Sequence, residues 1–109
     1  MTHRVWVFYS LQALQYLDQL GIVHRDIALR NILMTGNKTV KLSDFGLAVR
    51  VTPGAEYWSR QEVPTPYKWS APESLSEAVY SAKSDVWSLG VLLWEMFSLA
   101  KDPWPQVRN

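Results

Sequence analysis

Two short stretches, HRDIALRN at 24–31 and SDFG at 43–46, carry side chains whose types and spacing suit chemistry. Wound as a helix, the first would set Asp26, Leu29 and Arg30 on roughly one face. Ile27 and Leu29 alternating with charge fit better a loop anchored by its apolar residues, its polar ones turned toward a ligand. Apolar runs at Ile32–Met34 and Val40–Leu42 flank the turn signal Gly36-Asn37 and predict a small hairpin. Asn31 stands at its start and Asp44 just past its end, so the hairpin would fold an amide oxygen and a carboxylate back toward each other, with Asp26 beside Asn31. Both are hard oxygen ligands of the kind Mg²⁺ accepts while keeping several waters and binding phosphate oxygens. A further carboxylate, Asp26, suits taking a proton from an attacking hydroxyl held within hydrogen-bond reach. The pattern points to metal-assisted phosphoryl transfer. Singly the parts say less: DFG is also a common turn tripeptide, Asp44 could cap the next segment, and His24 alone reads as a structural histidine.

The elements that must position these residues can be read from period and punctuation. Val7, Leu11, Leu14 and Leu17 recur at helical spacing and Gly21 is a stop signal, which predicts an amphipathic helix over 5–20. Residues 51–66 hold three prolines, a glycine and scattered charge without period, and read as a long loop of the functional or mobile kind. Ser84-Asp85 is the expected cap of a strongly apolar helix from about Val86 to Leu99, buried centrally and ended by Pro103 and Pro105.

Composition narrows the classes. The chain has 109 residues, 48% of them apolar, with 11 Lys and Arg against 10 Asp and Glu, as in one modest globular unit. A net charge of +1 gives no electrostatic case for nucleic acid or an anionic membrane. With no cysteine there is no disulfide framework or thiolate metal site. Val5–Leu11 comes after His3 and Arg4 in the manner of a signal peptide, yet Gln12, Gln15 and Asp18 break the continuation of that run and no small-residue cleavage site appears. Val86–Phe97 is broken by Ser88, Gly90 and Glu95 and falls short of the ~20 residues of a membrane span. Six tryptophans are expected at core or interface positions. There is no internal repeat.

Order and spacing together carry a resemblance. HRDIALRN, DFG at Asp44–Gly46 and APE at Ala71–Glu73 resemble, in order, the catalytic-loop, metal-loop and activation-segment signatures of the protein kinases. The likeness runs through the SDVWSLGVLLWEMFSL stretch to the PWP beyond it. Ala28 stands where serine/threonine kinases usually carry lysine, and Arg30 lies four residues after Asp26, similar to the HRDLAARN pattern of tyrosine kinases. KWSAPE, with Pro66 shortly before Trp69, likewise resembles their substrate-receiving segment. The implied fold is α+β, mainly α: a partial kinase-like C-terminal lobe over 1–109 with a small hairpin, a buried central helix at about 85–99 and an activation segment at 44–73.

The resemblance also implies roles. Asp26 would orient the substrate hydroxyl and accept its proton, Arg30 would stabilise the transferring phosphoryl group, and Asn31 and Asp44 would hold Mg²⁺ on the phosphates of ATP. Arg25 would pair with a phosphate on the activation segment, for which Tyr57, 13 positions after Asp44, is the candidate, although Tyr57 beside Trp58 also reads as a packing aromatic. Phe45 would pack against the core, Gly46 completes the metal loop, His24 would support the loop, and Asp85 would hydrogen-bond the catalytic-loop backbone. Pro66 and Trp69 would line the substrate segment.

Departures from the family pattern set further expectations. No Gly-rich loop, strand lysine or helix glutamate is present, so the N-terminal lobe lies outside this chain, which alone should be inactive. Glu73 would lack its arginine partner, and a central helix bearing Trp87, Leu92, Leu93, Trp94 and Met96 would expose apolar surface, with marginal stability as the result. Leu29, Tyr67 and Gln106 replace more usual residues without removing a catalytic group. The expected function is that of a protein tyrosine kinase fragment, cytosolic or on the cytoplasmic face of the plasma membrane, with ATP and a tyrosine-bearing protein as partners. The alternative is a non-catalytic fragment binding the missing lobe or a partner protein through its exposed helix.

Overall fold

In a computed structural model, residues 3–36, 39–60 and 67–98 are described. The chain opens with helix α1 (His3–Leu20) and continues through short strands β1 (Ile22–Val23), β2 (Ile32–Met34), β3 (Val40–Leu42), β4 (Val49–Arg50) and β5 (Tyr57–Trp58). Helix α2 (Pro72–Glu77), strand β6 (Val79–Tyr80) and helix α3 (Ala82–Phe97) complete the order. Single 3₁₀ turns lie at Leu29–Asn31 and Tyr67–Trp69. The strands form three antiparallel pairs, β1 with β4, β2 with β3 and β5 with β6. This is the expected mainly helical α+β arrangement.

The predicted helix and hairpin both form. Gly21 ends α1 at φ +72°, where its N–H reaches Asp18 O at 3.1 Å and its own carbonyl accepts from Val51 N at 2.7 Å. A side chain there would stand 2.1 Å from Val51 O, so the turn and the close approach both require glycine. The hairpin pairs Ile32 with Leu42 and Met34 with Val40. Its turn residue Asn37 lies outside the described residues.

The buried stripe of α1 differs from the expected one. It runs through buried Ser10 and Leu17 and partly buried Leu14, while Leu11 is exposed. Leu14 joins Ile32, Leu42 and Leu93 around a core of Ile27, Leu89 and Leu92, drawn from the 24–31 loop and α3. Burying one such leucine is worth about 1.5–3 kcal/mol. No described helix is long and apolar enough to cross a membrane.

Helix α3 starts a turn earlier than predicted. Ser81 is its cap: the Ser81 hydroxyl accepts from Lys83 N at 3.1 Å and Ser84 Oγ accepts from Ser81 N at 2.9 Å, a reciprocal box that frees Asp85 from capping. The helix is not buried all round. Leu92 and Met96 face inward, but Trp87 and Trp94 are each 45% exposed, beside exposed Val86 and Phe97. Leu99, Pro103, Pro105 and Gln106 lie outside the described residues.

Candidate functional site

The 24–31 loop lies on α3 and takes its shape from two acids of that helix. Asp85 Oδ2 accepts from His24 N at 2.8 Å and Oδ1 from Arg25 N at 3.1 Å. Arg25 sits at φ +69°, a backbone state costing about 1–3 kcal/mol in a non-glycine residue, so the carboxylate offsets a strained turn. Burial pushes the Asp85 carboxyl above its ordinary range, and the two amide bonds and the neighbouring His24 and Arg25 only partly counter it. Ten residues on, about 15 Å along the axis, Glu95 Oε1 accepts from Leu29 N at 3.0 Å. Between these points Ile27 enters the core, as the sequence pattern required, while Leu29 is only partly buried.

His24 is fully buried and its bonds fix its tautomer. Asp26 N–H donates to Nδ1 at 3.1 Å, so the ring proton sits on Nε2, 2.9 Å from the Ser43 carbonyl. The imidazole thus links the two candidate stretches. Phe45 meets this buried ring edge-on at 4.7 Å while its own side chain stays 46% exposed.

A second link joins Asn31 to the DFG turn. Ser43 N and Oγ both donate to Asn31 O, at 2.8 and 2.9 Å, and bring Asp44 beside Asn31. Asn31 Nδ2 donates to Asp26 O at 2.7 Å, leaving its Oδ1 as the atom suited to a cation. Asp44, at φ +59°, is exposed and accepts from Gly46 N at 3.3 Å. A methyl on Gly46 would approach that carboxylate to 3.2 Å. An amide and a carboxylate oxygen fit Mg²⁺ with water and phosphate completing its shell. Among the described residues there is no group of three His, Cys, Asp or Glu suited to a metal held by protein alone.

Asp26 and Arg30 pair directly, four positions apart. The Arg30 guanidinium lies 5.2 Å above the Trp69 ring, and Trp69 Nε1 donates to Glu95 Oε1 at 2.7 Å. The structure therefore joins the expected substrate segment to the loop at Trp69, while Pro66 lies outside the described residues. Arg25 extends the other way. Its Nε donates to Leu47 O at 2.7 Å, and its guanidinium lies 5.2 Å from the Tyr57 ring and 5.0 Å from that of Tyr80, which pairs with Tyr57 across β5 and β6. Glu73 stands half-buried in the first turn of α2, and its carboxylate makes no ion pair among the described residues.

Two residues of this constellation, Glu95 and Tyr80, do not stand out as site residues in the sequence. Glu95 has a legible signal all the same: Asp85, Ser88, Leu92 and Glu95 keep a three-four-three spacing, which is one helical stripe, and all four are buried.

A family model described as protein tyrosine and serine/threonine kinase matches residues 4–109. Vascular endothelial growth factor receptor 1 of Mus musculus is 48% identical over 105 residues, covering 94% of this chain and 8% of the receptor. Macrophage colony-stimulating factor 1 receptor of Danio rerio is 45% identical over 96 residues, 88% of this chain and 10% of the receptor. Vascular endothelial growth factor receptor 2 of Coturnix japonica is 44% identical over 105 residues, with 94% and 8% covered. The chain spans a tenth or less of the length of these relatives.

Proposed function

The chain belongs to the protein tyrosine and serine/threonine kinase family, and from that premise we propose that it is the catalytic-loop portion of a protein tyrosine kinase, moving the γ-phosphoryl group of ATP to a protein tyrosine. The observation that carries this reading is one loop presenting Asp26, Arg30 and Asn31 together, its backbone bound at both ends by buried carboxylates of α3. Such preorganisation is what phosphoryl transfer requires, because the reaction is governed by positioning and electrostatics.

In this reading Asp26 orients the tyrosine hydroxyl and accepts its proton as the phenolic oxygen bonds to the γ-phosphorus; the bond to the β–γ bridging oxygen breaks and ADP leaves. Arg30, four residues beyond Asp26, faces the charge on the transferring oxygens. Asn31 and Asp44 would hold Mg²⁺, which would neutralise phosphate charge when bound. A phenol reaches further than an aliphatic hydroxyl, so a cation at Arg30, in place of a lysine at the Ala28 position, supports tyrosine as acceptor. The Arg25 guanidinium beside Tyr57 supports Tyr57 as a phosphorylation site whose phosphate Arg25 would hold. Likeness to named receptors supports a place on the cytoplasmic side of the plasma membrane.

The test uses the full-length protein with Mg-ATP, a tyrosine copolymer and a serine/threonine peptide. Transfer to tyrosine is expected, lowered about 10²–10⁴-fold by Asp26→Asn. A second reading, a kinase-derived module that binds protein without catalysis, is favoured by exposed Val86, Trp87, Trp94 and Phe97 on α3. Equal phosphate incorporation by wild type and Asp26→Asn would leave that second reading standing.

A further inference from the structure

We infer that Glu95 is a positioning residue for phosphoryl transfer, acting on Arg30 through Trp69 and through the Leu29 amide; the inference rests on the roles proposed above for Asp26 and Arg30. One oxygen, Oε1, takes both hydrogen bonds, from Leu29 N at 3.0 Å and from Trp69 Nε1 at 2.7 Å. Leu29 immediately precedes Arg30, so the first bond fixes the backbone from which the guanidinium springs. The Trp69 ring lies under that guanidinium at 5.2 Å, so the second fixes the surface on which it rests.

An indole has one donor, at its edge. With that N–H aimed at a fixed acceptor the ring cannot turn about its own axis, and its face keeps one direction. Attraction between a guanidinium and an aromatic ring depends on the cation staying over that face. Ser88 completes the mount by donating its hydroxyl to Trp69 O at 2.6 Å. Arg30, held at its root and along its plane, reaches Asp26 Oδ1.

A filler role does not account for the residue type. Glu95 is 9% exposed in the otherwise apolar stretch 89–97 of α3, where an aliphatic side chain would pack without the cost of desolvating a carboxylate. The Leu29 amide needs an acceptor in any case, which a shorter polar residue could supply. The added bond to Trp69 requires an oxygen at this reach, and it ties the substrate segment to the catalytic loop where Arg30 lies over the Trp69 ring.

The experiment is steady-state kinetics on the full-length protein. Trp69→Phe keeps an aromatic face, removes the N–H and leaves Glu95 bound to Leu29. It should lower kcat for a tyrosine peptide about 10- to 100-fold, the cost of misplacing a reacting group by ~1 Å, and leave KM for ATP within about twofold. Glu95→Gln keeps an acceptor oxygen and should hold kcat within about threefold of wild type, whereas Glu95→Leu should repeat the Trp69→Phe loss. In an Arg30→Ala background Trp69→Phe should add nothing. Full kcat in Trp69→Phe beside an inactive Asp26→Asn would overturn the inference alone. Losses that multiply in the double variant would also overturn it, as would disappearance of cooperative melting in Trp69→Phe, which would make the bond one of folding only. An inactive wild type would overturn the functional reading and the inference together.

Discussion

The 24–31 loop and the 44–58 segment carry comparable polar chemistry but are held in different ways. The first rests on buried groups: Ile27 is in the core, His24 has no exposed surface, and Asp85 and Glu95 bind three of its amides. The second begins with Asp44, Phe45 and Gly46, all three exposed, and is attached by Leu47 O to Arg25, by the β1–β4 pair and by Tyr57 across from Tyr80. A loop fixed by buried acceptors is set when the protein folds. A segment held by two-residue strand pairs and one cation between two rings has fewer buried anchors, and under the function proposed above a phosphate on Tyr57 would rearrange it. Under the function proposed above, this would separate permanent catalytic geometry from adjustable metal and substrate access.

Asp85→Ala should erase this difference most completely, because it strands the His24 and Arg25 amides. A loss of about 2–5 kcal/mol in urea denaturation is expected, with the 24–31 loop becoming as mobile as the 44–58 segment. A smaller change widens the contrast. Gly21→Ala places a methyl against Val51 O at 2.1 Å and forces φ +72° on alanine. The cost of about 2–3 kcal/mol falls on the β1–β4 pair. Limited proteolysis of this variant should open first within 44–58; first cleavage within 24–31 would mean that the two regions share one support.

The smallest effect is one of pH. Because the folded Asp85 carboxyl binds its proton more tightly than the unfolded chain does, with an ordinary value of 3.8, its titration favours the fold below that value. This contribution is lost as pH rises through the raised folded value. Wild type should therefore gain stability relative to Asp85→Asn as pH falls toward 3.8, a trend read from paired melting curves. Loss of relative stability on acidification would contradict burial as the dominant influence on this carboxyl.

Local signals make much of this legible in the sequence. Helix α1 and the β2–β3 hairpin can be read from period and turn residues, and the hairpin alone brings Asn31 toward Asp44. The start of α3 is harder because Ser81 and Ser84 are both good caps, and the box between them uses both. Leu11 and Leu14 are equally apolar, so only the packing of the hairpin and α3 decides which one turns toward the core. Glu95 reads as an interruption of an apolar run because its partners, Leu29 and Trp69, lie 66 and 26 residues away. Tyr80 gives no signal since strands of two residues have no period to read, and its place opposite Tyr57 arises only from their pairing.

Helix α3 holds the 24–31 loop while the 44–58 segment is left adjustable, and hydrogen exchange of the full-length protein, resolved to single amides, probes that division without an intermediary. The His24, Arg25 and Leu29 amides should exchange as slowly as that of Leu92 in the core of α3, and Gly46 should exchange orders of magnitude faster. Asp85→Asn should speed His24 and Arg25 while sparing Leu29. Exchange at His24 and Arg25 as fast as at Gly46 in the wild-type protein would mean that α3 does not hold the loop.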